Sequence, residues 1–158
     1  MKAVSSKELG KELNSLSPKE LRELCLRLAR FRKENKELLT YLLFESFDEE
    51  AYIEGVKQDI DEEFHQINTK GSYFIRKSVR RILTRTKKYI RYSQNKRTEV
   101  ELLIYFCRKL KNMTPSILKN KSLLNLYIRL TDSIIIKISS LHPDLHYDYQ
   151  QELNELLR

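Results

Sequence analysis

The sequence predicts an all-α fold, and three observations carry that expectation. Three glycines and three prolines in 158 residues are too few for the special turns of a sandwich or barrel, or for a glycine-rich nucleotide loop. Apolar residues recur at spacings of three and four nearly throughout. No segment alternates as a half-buried strand does, and no Asn-Gly or Asp-Gly dipeptide marks a hairpin. Ile134, Ile135 and Ile136 are β-branched, but they sit within a longer helical period. With 41% hydrophobic and 33% charged residues, the chain can build a real core and is neither a membrane span nor a disordered tail. One helical domain, 1–158, is expected, with 1–16 as a loosely packed N-terminal extension.

A short helix is expected over Ser6–Asn14. Ser17-Pro18-Lys19-Glu20 is a start signal: Ser17 caps, Pro18 fits the first turn and Glu20 reaches back. Leu21, Leu24, Cys25, Leu28 and Phe31 then form one apolar stripe. A break near Asn35 separates it from a second helix, Lys36 to Phe47. Asp48-Glu49-Glu50 opens the next, with Ile53, Val56, Ile60, Phe64 and Ile67 inward and Gly71 as a left-handed stop. Ser72 caps a long helix to about Gln94 that buries Ile75, Val79, Ile82, Leu83, Thr86, Tyr89 and Ile90.

Thr98-Glu99-Val100-Glu101 has the form of a second capping box. The helix it opens, to about Asn112, is apolar on most of its circumference and is expected to be central. After Thr114-Pro115, a helix from Leu118 to Leu141 turns Leu124, Tyr127, Ile128, Ile134, Ile135, Ile138 and Leu141 inward. His142-Pro143-Asp144 opens the last helix, to Leu157. The helices pair as 18–47, 49–94 and 98–141. Such pairs stack as a short α-solenoid, like HEAT or tetratricopeptide arrays but without their consensus, or as an irregular helical bundle.

The segments from Ser17 to Cys25, from Thr98 to Lys111 and from Tyr147 to Leu153 resemble small, uncharacterised bacterial all-helical proteins. The resemblance touches about half of the chain. It implies a bacterial, cytosolic, helical protein and no particular chemistry.

Charge is distributed unevenly. The net is −4 over residues 1–63, +15 over 64–131 and −3 over 132–158. No carboxylate occurs from Phe64 to Thr98. At about 100° per residue, Arg76, Lys87, Arg80 and Arg91 fall within about 60° of one another on the 72–94 helix, followed by Lys77, Lys88 and Arg81. Arg85 sits at the border, about 180° from Arg76, and the apolar stripe fills the opposite side.

A cationic ribbon of this kind tracks phosphates and gains free energy from counterion release. Arg76, Lys77, Arg80, Arg81, Lys87, Lys88 and Arg91 are therefore the candidate contacts to nucleic acid or another polyanion, with Tyr73 and Tyr92 placed to stack on bases. No zinc-finger spacing, leucine zipper or glycine-turned helix-turn-helix accompanies them, so any binding is backbone-led. The plainer reading is a solvated or internally matched face. Asp48, Glu49, Glu50, Glu54, Asp59, Asp61, Glu62 and Glu63 lie just upstream, with Lys57 as the sole base among them. A second functional reading is a protein-interaction or self-association scaffold with complementary acidic and basic surfaces.

Other chemistry finds little footing. His142 and His146 are four apart, but Pro143 makes His142 a cap rather than a helical ligand, so no metal site is expected. Cys25 and Cys107 lie in helical stripes and are expected to be reduced, buried thiols. No P-loop, EF-hand or nucleophile–base motif occurs, so neither catalytic residues nor a cofactor are expected. No apolar run approaches membrane-span length, and a cytoplasmic location is the expectation.

Overall fold

Helices begin where a small polar residue precedes an acid and an apolar face. In the computed structural model, which describes residues 2–158, α1 (Ser6–Asn14) opens on a capping box made by Ser5 and Glu8. α2 (Pro18–Phe31) opens on one made by Ser17 and Glu20: the Ser17 backbone donates to Glu20 Oε2 at 2.8 Å, and the Glu20 N–H donates to Ser17 Oγ at 3.3 Å. The fold is all-α, and no strand occurs among the described residues.

The chain divides into two compact units, the first ending at Phe44 and the second running Glu45–Arg158, where one domain with a short 1–16 extension was expected. In the first unit, α2 packs on α3 (Lys33–Thr40), which continues into a π-helical turn, Tyr41–Glu45. The break between them falls at Arg32, whose backbone is extended, and not at Asn35. Asn35 still acts on the break: its Nδ2 donates to the Leu28 carbonyl at 2.8 Å, one of the carbonyls that the end of α2 leaves unpaired.

The apolar stripe of α2 is not buried. Leu24, Leu28 and Phe31 are exposed, Phe31 by 77%, and Cys25 is exposed where a buried thiol was expected. Tyr41 is the one residue from this stretch that is fully buried among those described.

The second unit is built around α6 (Lys96–Asn112), as its nearly all-round apolar surface predicts. α4 (Glu49–His65), α5 (Ser72–Ser93), α7 (Lys121–Ile138) and α8 (Pro143–Leu157) all pack on it. α4 also packs on α5, and α7 on α8, so the expected partners α4–α5 and α6–α7 do pack together while α6 serves the whole unit as a hub. Leu102, Ile104, Phe106 and Leu110 of α6 are essentially fully buried, as are Ile53, Ile82, Ile134 and Leu153 from the four surrounding helices. Each such side chain contributes roughly 1.5–3 kcal/mol on leaving water.

Four local expectations are corrected. α4 ends at His65, and Gly71 is extended (φ −177°), serving as the N-cap of α5; the left-handed residue is Gln94 (φ 55°), at the far end of α5. Asn95, not Thr98, caps α6, because Thr98 is wholly buried and its hydroxyl donates to Glu49. α7 starts at Lys121 after a 3₁₀ turn, Ile117–Lys119, and the Thr114–Pro115 peptide is cis. The buried face of α7 is Leu123, Leu130, Thr131, Ile134 and Ile138, which turns Ile128 and Ile135 outward. Among the described residues, no helix is long and apolar enough to cross a membrane.

Candidate nucleic-acid interface

The rotation of α5 about its axis decides where its cations point. Ile75, Val79, Ile82, Leu83, Thr86 and Ile90 are buried, as their spacing predicts, so the cationic side of the helix faces away from the core. That side has two flanks with different partners.

The flank beside α4 is partly paired. Glu63, with its side chain 14% exposed, lies 3.0 Å from Arg85 Nη1 and 3.9 Å from Arg81 Nε. Arg85 also donates from Nε to the Tyr89 hydroxyl at 3.0 Å. The Tyr89 hydrogen bond, together with the charge of Glu63, holds Arg85 still more firmly protonated than an ordinary arginine. Lys88 is half-buried, with its Nζ 5.2 Å from the centre of the Tyr89 ring and 5.9 Å from that of Tyr92. Arg81 and Lys88, both expected among the polyanion contacts, therefore lie on the flank that Glu63, Tyr89 and Tyr92 occupy. Tyr92 is half-buried beside Tyr89.

The opposite flank keeps its charge. Arg76 Nη1 donates to Ser72 Oγ at 2.8 Å, and Arg80 Nη2 donates to Ser122 Oγ at 3.2 Å. Asn120 Nδ2 also donates to Ser72 Oγ, at 3.0 Å. These partners are neutral: they orient two guanidinium groups without cancelling either. A guanidinium carries five donors, so one bond to a hydroxyl leaves most of the fork available. Arg76, Lys77, Arg80 and Tyr73 line a recess of about 350 Å³, with Tyr73 61% exposed. Lys77, Lys87 and Arg91 are exposed, and among the described residues no carboxylate lies in salt-bridge range of any of them.

Sequence reasoning missed the contribution of α7. Lys121, Ser122, Asn125, Ile128 and Arg129 line a second recess, of about 680 Å³, and the Arg80–Ser122 hydrogen bond joins the two recesses. Neither lining includes a carboxylate. The one available signal was the excess of +15 over residues 64–131, which counts Lys121 and Arg129 but assigns them to no face.

Arg97, Arg108 and Lys109 of this charged segment, and Lys57 of α4, meet carboxylates within the second unit. Lys57 lies 2.7 Å from both Glu54 and Glu101, Lys109 is 3.0 Å from Asp61, and Arg108 is 3.3 Å from Glu152. Arg97 pairs with Glu50 and donates from Nε to the Tyr149 hydroxyl at 3.0 Å; that hydroxyl bond, ahead of the Glu50 charge, raises its pKa.

The two features with possible reactive chemistry are both tied down locally. His142 caps α8, its Nδ1 accepting from the Asp144 N–H at 3.4 Å, while His146 Nε2 lies 2.9 Å from the Leu141 carbonyl. Among the described residues, no group of three or more His, Cys, Asp or Glu side chains is close enough to hold a metal ion. Cys107 is buried against α6's neighbours, and burial pushes its thiol up to about 12. Comparison with protein-family models, with curated proteins and with solved structures finds no match.

Proposed function

We propose that this protein is a non-catalytic binding module that holds nucleic acid through the backbone. The outer flank of α5 would supply the contacts through Arg76, Lys77, Arg80, Lys87 and Arg91, extended by Lys121 and Arg129 of α7. The carrying observation is the convergence of Arg76, Lys77 and Arg80 with an exposed Tyr73 on one recess where their partners are hydroxyls rather than carboxylates. Cations at Arg76 and Arg91 are 15 positions apart, roughly 22 Å along the helix, which is enough to follow several phosphates of one strand. Tyr73 offers a ring face to an unpaired base.

The alternative of self-association between acidic and basic surfaces draws on residues 48–63. Glu50, Glu54, Asp61 and Glu63 of that segment are already paired inside the second unit, which leaves fewer carboxylates to offer a second copy.

Anisotropy of a labelled 20-nucleotide single strand and of its duplex, titrated with salt, tests the proposal. The expected log–log slope is about −0.9 per phosphate neutralised on duplex and about −0.7 on single strand. Combining Arg76→Ala, Lys77→Ala and Arg80→Ala should shallow the duplex slope by about 2–3. The Arg81→Ala/Lys88→Ala pair should change it far less. Absence of binding by the folded protein at about 50 mM salt removes the proposal.

A further inference from the structure

The first unit carries a cleft that the nucleic-acid reading does not use. Between α2 and α3 lies a groove of about 710 Å³, a volume in the range of ligand and peptide sites. Its floor is apolar: Leu26, Ala29, Leu39, Leu43 and Phe44. Leu43 and Phe44 are 61% and 66% exposed, so the floor lies open to solvent. Its rim is basic: Arg30, Arg32, Lys33 and Lys36. Among the described residues, Lys33 alone of these has a carboxylate in salt-bridge range, Glu37 at 3.6 Å.

Exposed apolar surface on this scale, bordered by polar groups, marks an interaction site on a soluble chain. The rim decides the kind of partner. A second copy would bring the same four cations against these, so like charge opposes self-pairing through the cleft. A helix with an apolar stripe and acidic flanks would match both floor and rim, the helix-in-groove mode of recognition.

We propose that the α2–α3 cleft is a docking groove for an acidic amphipathic helix of a partner protein. Apolar side chains at i, i+3 or i+4, and i+7 would enter between Leu26, Leu39 and Phe44, while flanking glutamates would meet Arg30, Lys33 and Lys36. Charge complementarity at the rim adds to encounter rate and selectivity more than to affinity, and the apolar floor supplies most of the holding free energy.

The test uses the full-length chain and a labelled synthetic 18-residue peptide with leucines at helical spacing and glutamates elsewhere, read by anisotropy. Saturable binding is expected. The Lys33→Glu/Lys36→Glu variant should bind at least tenfold more weakly, with helicity unchanged by circular dichroism. Phe44→Ala should weaken binding severalfold, and Arg76→Glu/Arg80→Glu should leave it within twofold, which separates this cleft from the α5 flank. The same peptide with lysines in place of glutamates should not bind. No saturable binding, equal binding by the rim-reversed variant, or loss with the α5 variant would each overturn the proposal. So would uptake onto anionic phosphatidylglycerol vesicles that Lys33→Glu/Lys36→Glu and Phe44→Ala abolish while the peptide fails to bind, which would assign the cleft to a lipid surface. A concentration-dependent dimer that Phe44→Ala breaks, with no saturable peptide binding, would assign it to a second copy.

Discussion

The hairpin of the first unit and the bundle of the second are made from the same kind of helix, yet only one hides its apolar side. Both regions show leucine and aromatic residues at spacings of three and four under a charged opposite face. In the bundle, α6 receives four neighbours and Phe106 is fully buried, in edge contact with Phe64 at a ring-centre distance of 5.5 Å. In the hairpin, α2 has α3 beside it, and Phe31 stays 77% exposed. Amphipathic periodicity states that a face seeks cover. Whether cover exists depends on how many other faces the chain can bring to it.

The contrast predicts unequal responses to the same truncation. Phe106→Ala should cost about 3–5 kcal/mol, a large part of a typical domain's stability, read as a fall of roughly 6–20 °C in Tm. A loss below 1 kcal/mol would mean the hub is looser than its burial shows.

A smaller effect sharpens the picture at high pH. The Tyr105 hydroxyl donates to Asp61 Oδ1 at 2.8 Å, and partial burial followed by that hydrogen bond pushes it up to about 12. The folded chain then keeps a proton that the unfolded chain releases near pH 10, so this contribution is complete below about pH 10 and is lost as pH rises toward 12. Cys107, also raised by burial, acts in the same direction. Tyr105→Phe should flatten part of the alkaline decline, by on the order of 1 kcal/mol in urea unfolding at pH 11 compared with pH 8. An unchanged decline would place its cause elsewhere.

The smallest effect completes the comparison: Phe31→Ala should shift stability by no more than about 0.5 kcal/mol in either direction. A cost of several kcal/mol there would show that the hairpin's outer face is covered in solution.

These same two regions show which parts of the architecture could be read from residues alone. Ser17 with Glu20 announced α2, and the long apolar circumference of 100–110 announced the hub. Both signals are local and carry their own partners. Thr98 looked like a cap because Glu101 follows it by three, but the residue it bonds is Glu49, far away in sequence. Cys25 lies on a stripe that stays exposed. Ile128 and Ile135 share a stripe with residues that do pack, and the true buried face of α7 is rotated toward Leu123 and Leu130.

The candidate interface followed the same rule. The helical wheel placed Arg76 and Arg80 together with Lys87 and Arg91, and Lys77 in the next group with Lys88 and Arg81, while the sorting of Arg81 and Arg85 toward Glu63 required the azimuth between two helices. Lys121 and Arg129 could join only after α7 was placed.

The carboxylate of Glu49 accepts hydrogen bonds from both Ser93 and Thr98, on either side of the Gln94 corner. One side chain at the start of α4 thus works as an indexing pin for the turn that joins α5 to α6. Because it engages near the end of α5, it stops that cylinder from rolling in its seat, and a roll of a few tens of degrees would be enough to trade open cations for shielded ones. The electrostatic character of this face is in that sense locked by two hydrogen bonds that are themselves only partly buried.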